Sequence, residues 1–128
     1  MVIDTSALLA IFLGEPERGH FLDAILQAES RGISAANALE TGIVLEARRG
    51  EAAGREFDLF LRHAKLDVVP VDEEQVEVAR LAWRKYGKGH HPAALNFGDC
   101  FAYALAKTLD EPLLAKGNVF SQTDISVC

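Results

Sequence analysis

Positive charge is scarce in this chain of 128 residues: 13 lysines and arginines stand against 19 aspartates and glutamates, a formal charge of -6. That balance excludes a protein that grips nucleic acid by bulk positive potential, so a polyanionic ligand needs a local basic patch or bound cations. Cysteine is nearly absent too. Cys100 lies inside an apolar run and Cys128 at the end, with no CxxC pair and no His-spaced cluster to hold zinc. A reduced, intracellular protein is expected. No apolar run approaches the length of a membrane span, and Met1-Val2-Ile3-Asp4 shows no basic stretch leading into an apolar one, which points to the cytoplasm. Also missing are a glycine-rich phosphate loop ending in Lys-Ser/Thr, a dinucleotide fingerprint and a nucleophile elbow. The phosphatase pattern with a second aspartate two residues after the first fails, because Ser6 occupies that place.

What is present is an apolar half, 49% of residues, in a length that supports one hydrophobic core; a single domain over 1–128 is expected. Val2-Ile3 reads as a short strand ended by Asp4, followed by a helix from Ser6 to Leu13 that Gly14 stops. Pro16 opens a second helix, with Phe21, Leu22, Ile25, Leu26 and Glu29 at helical spacing. Ile33-Ser34 reads as a strand, Ala36 to Arg49 as a helix closed by Gly50, and Phe57, Phe60, Leu61 and Ala64 as one side of the next. Asp67 to Val71 is a third strand. Asp72 caps a helix whose buried stripe is Val76, Ala79, Ala82, Trp83 and Tyr86. A loop from Lys88 to Phe97 precedes a last helix, from about Asp99 to Leu109, and a strand at Leu113-Leu114-Ala115. Strands alternating with helices predict an α/β fold whose mostly parallel sheet is covered on both faces, with its site at the carboxyl ends of the strands.

Three acids stand out against this pattern. Asp4 sits at the carboxyl end of the first strand, as a ligand-bearing residue or as a helix N-cap. Glu40 falls on a helical wheel between Ala36, Leu39, Ile43, Val44 and Ala47, inside the apolar arc, where an ionised carboxylate needs a cation or an arginine partner. Asp99 heads the last apolar helix, bordering Ala102 and Ala106, as a second N-cap or a second inward-facing acid. The three become intelligible together if they meet around a divalent metal. Ligation by carboxylates alone favours a hard ion, Mg²⁺ or Mn²⁺, over zinc. Such a site suits phosphodiester hydrolysis and lets a net acidic protein bind RNA, because the cation inverts the local field.

These residues resemble the PIN-domain nucleases, and within them the VapC toxins. The resemblance rests on Met1 to Ala7, the Ser34 to Glu40 segment, Leu95-Asn96-Phe97-Gly98-Asp99-Cys100, and Leu113 to Ile125, in the family's order and over nearly the whole chain. It implies a PIN fold with a central, mostly parallel sheet of about four or five strands. It also implies Mg²⁺-dependent endoribonuclease activity, with Mn²⁺ able to substitute, a homodimer, and inhibition by a VapB-like antitoxin whose tail fills the acidic site. By position, Asp4, Glu40 and Asp99 take the metal-site acids, and Ser6, beside Thr5, the hydroxyl near the scissile phosphate. The fourth acid departs from the pattern: Gly117 and Val119 stand where relatives carry Asp. Either Asp124 completes the site or the protein works with three acids.

Rival readings are a catalytically silent PIN-fold module that binds RNA or regulates, and a structure-selective DNA nuclease of the flap type, disfavoured because the helical arch segments are lacking. His90 and His91, with Arg84, Lys85 and Lys88, form a small basic loop that suits either phosphate contact or plain solvation.

Overall fold

The computed structural model describes residues 1–128. In chain order the elements are β1 (Val2–Ile3), α1 (Thr5–Phe12), α2 (Arg18–Gln27), β2 (Gly32–Ser34), α3 (Ala35–Arg49) and α4 (Glu51–His63). They continue with β3 (Asp67–Val69), α5 (Glu73–Tyr86), α6 (Phe97–Leu109), β4 (Leu113–Leu114) and a 3₁₀ turn at Phe120–Gln122. The four strands pair in the order β3-β2-β1-β4, every pairing parallel, so β1 lies inside the sheet beside β2 and β4. A bridge from Val127 to Leu113 lays the tail parallel to β4.

Because neighbouring residues of a strand face opposite sides, β1 sends Ile3 into one apolar cluster and Val2 into another. The first cluster joins Ile3 and Leu114 to Leu8, Ile25, Ile33, Leu45 and Phe57; the second joins Val2 and Leu113 to Leu95, Tyr103, Leu105 and Phe120. Both faces are thus covered, as a parallel sheet requires.

Caps fix where the helices begin. Asp4 accepts the Ser6 N–H at 3.0 Å and starts α1; Asp72 accepts the Gln75 N–H at 2.9 Å and starts α5. At α6 the cap is Asn96, not Asp99. The Asp99 N–H donates to Asn96 Oδ1 at 2.8 Å and Asp99 Oδ2 accepts the Asn96 N–H at 3.0 Å, so the helix begins at Phe97, earlier than expected. β3 ends at Val69, because Pro70 follows and cannot continue the ladder. α2 stops at Gln27, which leaves Glu29 outside it.

Two helical faces differ from their wheels. On α3 the buried line is Asn37, Thr41 and Leu45, while Leu39 and Ile43 are 65% and 56% exposed. α3 packs against α1, α4 and α6 at once, and that surround, rather than apolarity, selects its inner side. On α5, Gln75, Ala82 and Tyr86 are buried, whereas Trp83 and Val76 are about half exposed. No helix is long and apolar enough to cross a membrane.

Leu105 is fully buried in the second cluster. Leu105→Ala is expected to cost about 2–5 kcal/mol by lost transfer energy and residual cavity, read as a lower urea midpoint with an unchanged slope.

Candidate active site

Three elements converge at the carboxyl edge of the sheet. Asp4 follows the last residue of β1, its N–H donating to the Leu114 carbonyl at 2.9 Å and its side chain turned to the Ser6 N–H. That double role as strand end and helix cap leaves Asp4 only 3% exposed. Burial, offset in part by the Ser6 hydrogen bond and reinforced by the charges of Asp99 and Glu40, raises its pKa to about 6. Asp99, in the first turn of α6, is also raised by burial and by Glu40, against the lowering effect of the Asn96 N–H. Glu40 projects from α3; its Oε1 accepts the Thr5 hydroxyl at 2.6 Å and the Asn37 side-chain amide at 3.4 Å.

The surroundings explain how three acids tolerate one another's company. A Cβ on Gly98 would lie 2.4 Å from Glu40 Oε2, so the missing side chain there makes room for the carboxylate beside α6. The Asn37 amide also donates to the Gly98 carbonyl at 3.0 Å. Ser6 Oγ accepts the Lys116 N–H at 2.9 Å, which draws the segment after β4 to the start of α1. Lys116 itself pairs with Glu15 and, at 3.2 Å, with Glu17. No lysine, arginine or histidine pairs with Asp4, Glu40 or Asp99.

The expected residues therefore fall into two groups. Asp4, Glu40 and Asp99 act electrostatically on each other, with Thr5 and Ser6 beside them; Thr5 is buried and its hydroxyl serves Glu40, leaving Ser6 as the more open hydroxyl. Asp124 is engaged elsewhere. Its Oδ1 accepts the Tyr103 hydroxyl at 2.5 Å and its Oδ2 meets the Lys107 ammonium at 2.8 Å, tying the tail to the middle and end of α6. Although burial pushes its pKa upward, Lys107 and Tyr103 hold it below the usual carboxylate value. Asn37 and Gly98 fall inside the segments that carry the resemblance, but sequence reasoning assigned neither a role. An asparagine in a helix and a glycine before an acid carry no local signal, and only the meeting of α3 with α6 gives them a role.

No three His, Cys, Asp or Glu side chains are assembled into a closed metal-binding cluster as they stand. The donors nonetheless fit a hard divalent ion in kind: three carboxylates, Asp4 buried and Glu40 and Asp99 half-buried, with no soft ligand and no side-chain cation paired with them.

This fold and this arrangement have relatives. Residues 1–126 match the family described as PIN domain. The chain belongs to the PIN-domain family. It is 52% identical over 126 residues to a Ribonuclease VapC of Mycolicibacterium smegmatis, covering 98% of each chain. Among solved structures it superposes on Mycobacterium tuberculosis VapC20, described as a sarcin-ricin loop cleaving toxin. That match has a TM-score of 0.81 and 18% identity, and covers 99% of this chain and 97% of that one. It also superposes on VapBC2 of Rickettsia felis, solved bound to a DNA fragment from its promoter. There the TM-score is 0.77 and the identity 11%, covering 98% and 94%. The expected α/β PIN fold with a parallel sheet holds, with four strands.

Two outcomes follow for this PIN domain. With EDTA present, Asp4→Asn is expected to stabilise the fold at pH 7 by about 1–3 kcal/mol, since Asn caps as well as Asp and carries no buried charge. The folded pKa of Asp4 exceeds its unfolded value, so ionisation works against folding. The gap in Tm between variant and wild type should therefore be full above pH 6 and shrink as pH falls from 6 toward 4. Asp124→Asn is expected to lower stability by about 1 kcal/mol, discounted for the half-exposed ion pair, by loosening the tail in thermal melts.

Proposed function

We propose that this PIN domain is a metal-dependent endoribonuclease, the toxin half of a VapBC-like pair. The observation that carries the reading is the gathering of Asp4, Glu40 and Asp99 from three elements at one sheet edge with no compensating side-chain cation. The relative named Ribonuclease VapC, at 52% identity over almost the whole chain, supports it.

In this reading Asp4, Glu40 and Asp99 hold Mg²⁺, for which Mn²⁺ can substitute. Held there, such an ion would supply Lewis acidity at a phosphoryl oxygen and a water acidic enough to react near neutral pH. Asp4 must give up its proton to bind it, which its pKa of about 6 allows at physiological pH. Thr5 and Asn37 orient Glu40 through Oε1. Ser6, whose Oγ already accepts from the Lys116 N–H, keeps its own O–H to donate to a phosphate oxygen. Asp124 is left out: its two oxygens serve Tyr103 and Lys107, so the site works with three acids.

The protein pairs with a second copy and with a VapB-like antitoxin that places a basic side chain among the acids, and it acts in the cytoplasm on RNA. An exposed apolar groove lies between α5 and α6, lined by Val76, Ala79, Trp83, Phe97 and Phe101.

The test is cleavage of total RNA by the purified chain with EDTA, Mg²⁺ or Mn²⁺, beside Asp4→Asn and Asp99→Asn. Cutting is expected only with a metal, and to fall at least about 100-fold in either variant. A folded wild type that binds RNA but cuts none under any condition would instead make this a silent binding module.

A further inference from the structure

Glu40 and Asp99 stand on different helices, and no sheet hydrogen bond sets one against the other. Their spacing depends on what joins α3 to the start of α6. Besides the packing of the two helices, one side-chain hydrogen bond makes that join. Asn37 lies one turn before Glu40 and is 1% exposed; its Nδ2 donates 3.0 Å to the carbonyl of Gly98, the residue preceding Asp99, and stands 3.4 Å from Glu40 Oε1. A single amide thus touches the carboxylate of one acid and the backbone next to the other. Its orientation is dictated, because turning the amide over would point its carbonyl at two acceptors.

The opposite end of the same group shows the cost. Asn37 Oδ1 is buried and has no hydrogen-bond partner. A buried amide with an unpaired oxygen is a poor residue for stability alone, so its reason lies in what Nδ2 holds. Thr5 supports Glu40 from the other side, donating to the same Oε1 at 2.6 Å. Oε2 takes no side-chain hydrogen bond and lies over Gly98, where a Cβ would sit 2.4 Å away.

We propose that Asn37 is a positioning residue of the site. It sets the spacing between Glu40 and Asp99 across α3 and α6 and, with Thr5, engages Glu40 Oε1, which leaves Oε2 without a side-chain hydrogen bond and available to a divalent cation. This rests on the three-acid reading above. Asn37 touches neither RNA nor metal; it acts through Glu40. Partners that orient metal ligands in this way change metal affinity or activity by about 10–100-fold when removed.

The experiment uses the full chain with Asn37→Ala and Asn37→Ser, each first shown folded by a cooperative thermal melt. Mg²⁺ alone is titrated by calorimetry, and cleavage kinetics are measured on one RNA. Both variants are expected to bind Mg²⁺ about 10-fold more weakly and to lose about 10–100-fold in kcat, with KM for RNA nearly unchanged. Thr5→Val should shift Mg²⁺ binding the same way, and Thr5→Ser should recover most of that loss. Folded Asn37 variants with wild-type Mg²⁺ affinity and kcat overturn the proposal, as does a change confined to KM, which would make Asn37 an RNA contact. Failure of both variants to fold also overturns it, by making Asn37 structural. A wild-type chain that neither binds Mg²⁺ nor cuts RNA brings down the three-acid reading itself, a result distinct from any difference between variants.

Discussion

Buried negative charge without a side-chain counter-ion is the constraint on which the rest of the structure depends. Asp4 cannot swing its carboxylate out to water, because its backbone closes the pairing of β1 with β4 and its side chain caps α1. Asp99 is held in a similar way by its reciprocal bonds with Asn96. Each acid is thus pinned by a local motif that would form in many helices. The motifs aim them at a common place, and burial and mutual repulsion then raise Asp4 toward neutral pH.

The scaffold bears that strain by keeping its stability elsewhere. The strands are short, yet Val2, Ile3, Leu113 and Leu114 are all fully buried, and they divide between two clusters that cover both faces of the sheet. α6 connects the two roles: its first turn carries Asp99, while Ala102, Leu105 and Ala106 fill the second cluster. Other acids of the chain find partners. Asp72 is satisfied by a cap, and Asp124 by a phenol and an ammonium. Asp4, Glu40 and Asp99 have no cationic side chain paired with them.

Much of this was legible from residue order. The alternation of short apolar runs with helical periods announced a parallel α/β sheet, and the placement of Asp4 after Val2-Ile3 put it at the sheet edge where such folds carry ligands. Asp99 was marked by its place at the head of the last helix, and Glu40 by an apolar arc on the wheel of α3. The wheel for α3 nonetheless chose the wrong side: Leu39 and Ile43 face solvent, and the inner line is Asn37, Thr41 and Leu45. A wheel ranks faces by apolarity, whereas α3 is clamped among three other helices that leave its polar side inward. On α5 Ala82 and Tyr86 of the expected stripe are buried, whereas Trp83 and Val76 of the same stripe are about half exposed. Nothing local to Asp124 announced its bonds to Tyr103 and Lys107.

The sequence by itself determined the element order, the caps that begin the helices and the identity of the acids at the strand and helix ends, because each depends on residues within a few positions of one another. Only the tertiary structure decided that Asn37 bridges α3 to Gly98, that Thr5 serves Glu40, and that Asp124 belongs to Tyr103 and Lys107. Those partners lie between 17 and 61 residues apart along the chain. A contact at that separation is set by how whole helices pack, and no local rule of spacing or propensity encodes it.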